Sequence, residues 1–190
     1  MYDLILASAS PRRLELLRQI GLSPRVLASE IPEARGVDEG VLDYSRRVAL
    51  EKALAGWDAC GQDPNVRVLG ADTEVVLDEM IFGKPADASD AMRMLRLLSG
   101  RTHRVPSSVA IVGAGFSRVL TQVSEVTFGP LSDADIHGYI ASGEVFGKAG
   151  AYAIQGHAAR FIERLDGSHS GVMGLPLYET GQLLIAAEVL

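Results

Sequence analysis

A single cysteine, Cys60, excludes a disulfide within the chain and leaves no cysteine-based metal motif, a usage that suits a reducing compartment. The four histidines, His103, His137, His157 and His169, show neither H-x-x-x-H nor H-E-x-x-H spacing, so no zinc motif is present. Positive charge is in the minority, with 18 Lys and Arg against 24 Asp and Glu and a net charge of -6. That balance provides no general basic field and excludes a nucleic-acid polymer as the main ligand. No apolar run approaches the roughly 20 residues that a membrane span requires, and the short run Leu4 to Ala7 has its arginines behind it, unlike a signal peptide. The protein is therefore expected to be soluble and cytoplasmic. The usual nucleotide and hydrolase signatures are missing too. Gly83-Lys84-Pro85 lacks the remainder of a P-loop, Gly113-Ala114-Gly115 is an incomplete dinucleotide fingerprint, and no G-x-S-x-G elbow occurs.

What remains is a chain of 190 residues, 47% hydrophobic, without repeats or an interdomain linker. This fits one domain spanning residues 1–190, whether or not it forms two lobes. "DLILAS" and "PRVLAS" read as strands flanking a helix over residues 11–20, in which Ser10 is the N-cap, Pro11 the first position, and Leu14, Leu17 and Ile20 the apolar face. Residues 30–41 read as an acidic loop, followed by a helix from about Asp43 to Ala55 that stops at Gly56. "VRVLGADTEVVLD" reads as a strand interrupted at Gly70–Thr73, with Asp72 in the interruption. "DASDAMRMLRLLSG" predicts a helix capped by Asp87 with Ala91, Leu95 and Leu98 on one face. Two strands joined through Gly113–Gly115 imply an antiparallel pair in a mixed sheet. Ser132 and Asp135 form a capping-box pattern before a short helix, and Pro176 opens a C-terminal one.

Four turn-like segments, "SASPRR", "GADT", "FGKP" and "GKAGAYAIQG", concentrate Arg12, Arg13, Asp72, Lys84, Lys148 and Gln155. Arg12 and Arg13 fall in the first turn of a helix, where unpaired N–H groups and the dipole are already positive, and each cation there costs roughly 0.3–1 kcal/mol. An anion offsets that cost. Ser8, Ser10, the free N–H groups and two forked guanidiniums would form a phosphate cradle. The alternative is that the arginines turn outward to Glu15 or the acidic loop, which contributes little. Asp72 has two chemical readings, a ligand for a divalent ion or a general base for water, beside a third in which it makes an Asx turn with its own backbone.

"LASASPRRLELL", "EKA" at 51–53, "GADTEVV", "FGKPADASDAMRMLRLLSGRTHRV", "KAGAYAIQG" and "GSHSGVMGLPL" resemble, in order, the blocks of the Maf family of nucleoside triphosphate pyrophosphatases. The resemblance implies an α/β fold, an elongated mixed β-sheet flanked by helices with a cleft between two lobes, similar to inosine triphosphate pyrophosphatase. It implies hydrolysis of a nucleoside triphosphate to monophosphate and pyrophosphate with Mg²⁺ or Mn²⁺, for which Asp72 and Glu33 are the candidate ligands. By the family pattern Asp72 is the proton acceptor, Ser8, Arg12, Arg13, Lys52, Lys84 and Lys148 line the triphosphate cleft, and Glu33 is a second acid near it. A homodimer is also implied.

"AYAIQG" resembles the subgroup that prefers dTTP and UTP, in which Arg12, Thr73 and Gln155 occupy specificity positions. A Gln amide both donates and accepts, matching the O4 and N3–H edge of uracil or thymine. Two acids common in the family are replaced, with Gly147 before Lys148 and Pro32 before Glu33. The alternatives are the same chemistry on another nucleotide such as 7-methyl-GTP, and a non-catalytic nucleotide-binding regulator of cell division.

Overall fold

Apolar, β-branched runs in the sequence become the inner strands of a mixed α/β sheet, and the amphipathic segments between them become helices flanking it. The computed structural model describes residues 2–29 and 31–190. In chain order the elements are β1 (Asp3–Leu6), α1 (Pro11–Gln19), β2 (Arg25–Val26), α2 (Val41–Ala59), β3 (Val66–Thr73), β4 (Val75–Leu77), β5 (Met80–Phe82), α3 (Ala88–Leu98), β6 (Thr102–Gly113), β7 (Phe116–Phe128), α4 (Asp133–Ala141), β8 (Ile162–Asp166), α5 (His169–Met173) and α6 (Leu177–Ala186). Strand order is β2-β1-β3-β6-β4-β5, with β7 pairing β6 and β8. Among the described residues no helix is long and apolar enough to cross a membrane.

The chain divides into two compact units. The first comprises the residues up to Thr73, Ser107–Gln122 and Gly174–Leu190, and the second comprises Glu74–Pro106 and Val123–Met173. In the first unit β1 runs parallel to both β2 and β3, and β6 pairs antiparallel with β3. Helix α2 lies on β3 through a stripe of small residues. Ala49, Ala53 and Gly56 are buried at helical spacing and meet Gly70, Ala7 and Val68 of the strands. Trp57 bridges the two apolar clusters on this face, one built on Ile5, Ala7, Val66 and Val68, the other on Ala49, Ala53, Ala110 and Val112.

The core of the second unit gathers Val75, Leu77 and Phe82 from β4 and β5, Ala91, Leu95 and Leu98 from α3, and Val126 and Phe128 from β7. The rings of His103, Phe128 and Tyr152 pack edge to face there, with centroids 5.0–5.4 Å apart. His103 Nε2 and the Tyr152 hydroxyl lie 2.8 Å apart, and burial lowers the imidazole pKa to about 4. His103 is thus a neutral core group at pH 7. Helix α4 starts with the expected capping box: Ser132 Oγ accepts from Asp135 N, and Asp135 accepts from Ser132 N. Ser132→Ala should lower unfolding free energy by about 1 kcal/mol, measured by urea denaturation. An unchanged midpoint would mean that the cap is dispensable.

Four local expectations need correction. Helix α2 runs through Gly56 to Ala59, because a Cβ at Gly56 would come 2.9 Å from Ala7 Cβ and Val68 Cγ1; this glycine serves close packing and does not stop the helix. The strand continues through Gly70–Thr73 and breaks at Glu74. Glu74 N donates to Pro106 O, and Pro106 has no N–H to return, so the ladder loses a bond at that point. In α1 the fully buried residues are Leu16 and Leu17, while Leu14 is half-buried and Ile20 is exposed, because the helix rests on a different flank from the one its spacing favours. Ser10 has the extended N-cap backbone, but its side chain makes no capping bond. The loop expected at 30–41 is irregular over 31–40, with Val41 already the first residue of α2; Glu30 lies outside the described residues.

Candidate functional site

In the first unit β1 runs parallel to β3 and ends at Leu6, opposite Leu69, with Ala7 N donating to Leu69 O, while β3 continues to Thr73. The carboxyl ends of parallel strands are where an open α/β sheet presents loops and helix N-termini to ligands. Ser8 leaves the end of β1 buried, and its hydroxyl accepts from Ser10 N at 3.2 Å and from Arg13 Nη1 at 3.1 Å. Arg13 Nε also donates to Gly174 O at 2.8 Å. Part of the Arg13 fork is thereby committed to tying the start of α1 to the segment before α6. Both Arg12 and Arg13 are half-buried, so neither is a freely solvated surface cation. The start of α1 has no acidic residue in its first turn and no side-chain cap, which leaves its dipole uncompensated by the helix itself.

Asp72 lies near the end of β3, 3% exposed, opposite Ser108 of β6. Its strand pairing excludes the Asx-turn reading. Lys52, 7% exposed, projects from α2 and places its ammonium 3.0 Å from Asp72 Oδ1 and 3.0 Å from Glu33 Oε1. The approach depends on Gly70, whose hydrogen faces α2 where a Cβ would lie 2.3 Å from Ala49 O. Glu33 is held by the same helix. Tyr44 OH donates to Glu33 O at 3.2 Å, and Arg47 donates to Ala34 O and to both carboxylate oxygens of Glu39. Those bonds from Arg47 hold the Glu39 carboxyl well down, at about 2. Helix α2 therefore orders the acidic loop and carries the lysine that the loop's Glu33 meets.

The second oxygen of Asp72, Oδ2, is buried and has no hydrogen-bond partner among the described residues. A buried polar atom is normally paired, so an orphaned carboxylate oxygen marks a place where a proton donor or a cation belongs. Among the described residues no group of three or more His, Cys, Asp or Glu side chains is placed to hold a metal ion. Asp72 and the half-exposed Glu33 are hard oxygen donors, which fits Mg²⁺ or Mn²⁺ if phosphate oxygens and water complete the shell.

Beside Asp72 lies a row of hydroxyls, of which the sequence singles out only Thr73. Ser45 of α2 donates to Ser108 at 2.9 Å, Ser108 and Thr121 lie 2.9 Å apart, and Thr73 Oγ1 is 2.6 Å from Ser107 Oγ. Ser45, Ser107 and Ser108 are fully buried. Two consecutive serines inside the apolar run "VPSSVAIV" were the available signal.

The remaining candidates belong to the second unit. Lys84 is exposed on the turn after β5, and Lys148 is half-buried with its ammonium 3.4 Å from Phe146 O. Their segments are joined by a bond from Gly150 N to Gly83 O. Gln155 is exposed on a turn closed by Gly156 N donating to Ala153 O. The structure thus brings Glu33, Lys52 and Asp72 together, pairs Ser8 with Arg13, and joins the segments bearing Lys84 and Lys148.

Comparison with known proteins adds independent information. A family model described as "Maf-like protein" matches residues 3–187. A "dTTP/UTP pyrophosphatase" of Xanthomonas euvesicatoria is 57% identical over 187 residues, covering 96% of this chain and 97% of the relative. A "dTTP/UTP pyrophosphatase" of Chromobacterium violaceum is 51% identical over 182 residues, covering 94% and 91%. A "Nucleoside triphosphate pyrophosphatase" of Xylella fastidiosa is 53% identical over 187 residues, covering 97% and 98%.

Proposed function

This chain belongs to the Maf-like family, and from that premise we propose that it hydrolyses dTTP and UTP to the nucleoside monophosphate and pyrophosphate. The single observation carrying the chemistry is the Asp72 carboxylate. One oxygen is fixed by the Lys52 ammonium, and the other is buried, unpartnered and available to take a proton from water. Water adds its oxygen to phosphorus, its proton passes to Asp72 Oδ2, and the α–β phosphoanhydride bond breaks with pyrophosphate leaving. No covalent enzyme intermediate is needed.

Ser8, the N–H groups at the start of α1, Arg12 and Arg13 would hold phosphate oxygens, and Lys52, Lys84 and Lys148 would offset charge gathering on the leaving group. Glu33, together with the Lys52-facing oxygen of Asp72, would hold a divalent Mg²⁺ or Mn²⁺ ion, which when bound would withdraw charge from the phosphates as a Lewis acid, with Asp72 Oδ2 left open for the proton. Arg12, Thr73 and Gln155 would set base preference, the Gln155 amide meeting the O4 and N3–H edge of a pyrimidine.

The test is pyrophosphate release by the purified chain, with Mg²⁺ or Mn²⁺, from a panel of nucleoside triphosphates. UTP and dTTP should be converted fastest. Nucleotide binding without pyrophosphate release would overturn the enzymatic reading, and preference for 7-methyl-GTP would overturn the base assignment.

A further inference from the structure

The turn that displays Gln155 is clamped at both ends by side chains from outside it. Gly156 N donates to Ala153 O at 3.0 Å, which makes Ala153–Gly156 a β-turn with Gln155 at its third position. On the entering side, Ala153 N donates to the Tyr139 hydroxyl at 3.1 Å in a buried bond. On the leaving side, His157 N donates to the Glu144 carboxylate, at 2.9 Å to Oε2 and 3.3 Å to Oε1. The carboxylate also lies flat against the backbone of residue 156, where a Cβ would fall 1.7 Å from Glu144 Oε1. Any side chain at that position would displace the Glu144 carboxylate. Gln155 itself is exposed, and among the described residues no hydrogen bond of its own side chain orients it. The place from which its side chain starts, and so the region its amide can reach, is set by the backbone of the turn, and therefore by the groups that hold the turn.

We propose that Glu144 is a positioning residue for base selection, its carboxylate clamping the 153–156 turn so that the Gln155 amide meets the pyrimidine edge in one orientation. The inference rests on the reading of Gln155 given above. A charge-assisted bond to a backbone N–H is stronger than a neutral one, and it restrains the turn before substrate arrives. A restrained amide discriminates between the acceptor O4 of uracil and the donor amino group of cytosine, because a misoriented base leaves the amide badly paired. A freely moving turn would let the amide adapt to both. Glu144 touches no substrate in this scheme, and its effect passes entirely through the turn.

The experiment compares kcat and KM for UTP and CTP in the full-length protein and in its Glu144→Ala, Glu144→Gln and Gln155→Ala variants. Glu144→Ala should raise KM for UTP and narrow the UTP:CTP ratio of kcat/KM by about tenfold, with kcat changed less. Glu144→Gln keeps an acceptor oxygen in the same place and should retain most of the ratio. If Glu144→Ala does not fold, Glu144→Asp, which draws the carboxylate back by one methylene, should narrow the ratio in the same direction by a smaller factor. An unchanged ratio in the Glu144 variants, while Gln155→Ala changes it, would overturn the clamp and leave the Gln155 reading standing. An unchanged ratio in Gln155→Ala would remove that reading and the clamp with it.

Discussion

Asp72→Asn is expected to lower kcat for pyrophosphate release by about 10³-fold while KM for UTP changes only a few-fold. Asn has the same shape, and its amide oxygen can still accept from Lys52, so the contact at 3.0 Å has a replacement. Lys52 also keeps Glu33 at 3.0 Å, so its buried ammonium is not stranded. What the substitution removes is the second oxygen's capacity to take a proton, since an amide nitrogen in the place of Oδ2 is a donor and cannot act as a base. The loss should therefore fall on the chemical step. Steady-state kinetics of both proteins, with urea unfolding as a check on stability, separate the two effects. A variant that is as stable as the parent and retains full kcat would rule out Asp72 as the base.

The parts of the fold legible in the sequence are those whose determinants are local. Asp87 and Ser132 cap the helices that follow them, and the apolar face of α3 falls where its spacing puts it. What was misread depends on partners distant in the chain. Gly56 looks like a stop signal, but its lack of a side chain answers Ala7 and Val68. Gly70 looks like a break in a strand, yet the break is made by Pro106 on the neighbouring strand. The site follows the same division. Asp72 and Lys52 stand in recognisable sequence blocks and Glu33 is implied by the family pattern, but their meeting requires α2 to lie close on β3. Glu144 carries no sequence signal at all, because its partner is a backbone N–H and backbone donors are alike in every residue but proline.

The close approach of α2 to β3 provides the second large effect. Gly70→Ala is expected to destabilise the protein by about 3 kcal/mol, since the new methyl would lie 2.3 Å from Ala49 O and 2.6 Å from Ala53 N. Both obstructing atoms are backbone in a packed helix, so no rotamer change relieves the clash, and α2 must move as a body. For a chain of this size the melting temperature should fall by roughly 6–12 °C. The movement also carries Lys52 away from Asp72, because the lysine stands one residue from Ala53 on the same helix. The folded variant should therefore lose kcat as well as stability. Gly138→Ala in α4 is the matched control. A Cβ there meets nothing within 4 Å, and exchanging a helix-interior glycine for alanine should stabilise the protein by about 0.5–1 kcal/mol with kcat unchanged. Thermal melts and kinetics of the two variants decide the matter. If Gly70→Ala melts with the parent, α2 does not depend on that glycine, and the contact between Lys52 and Asp72 has some other origin.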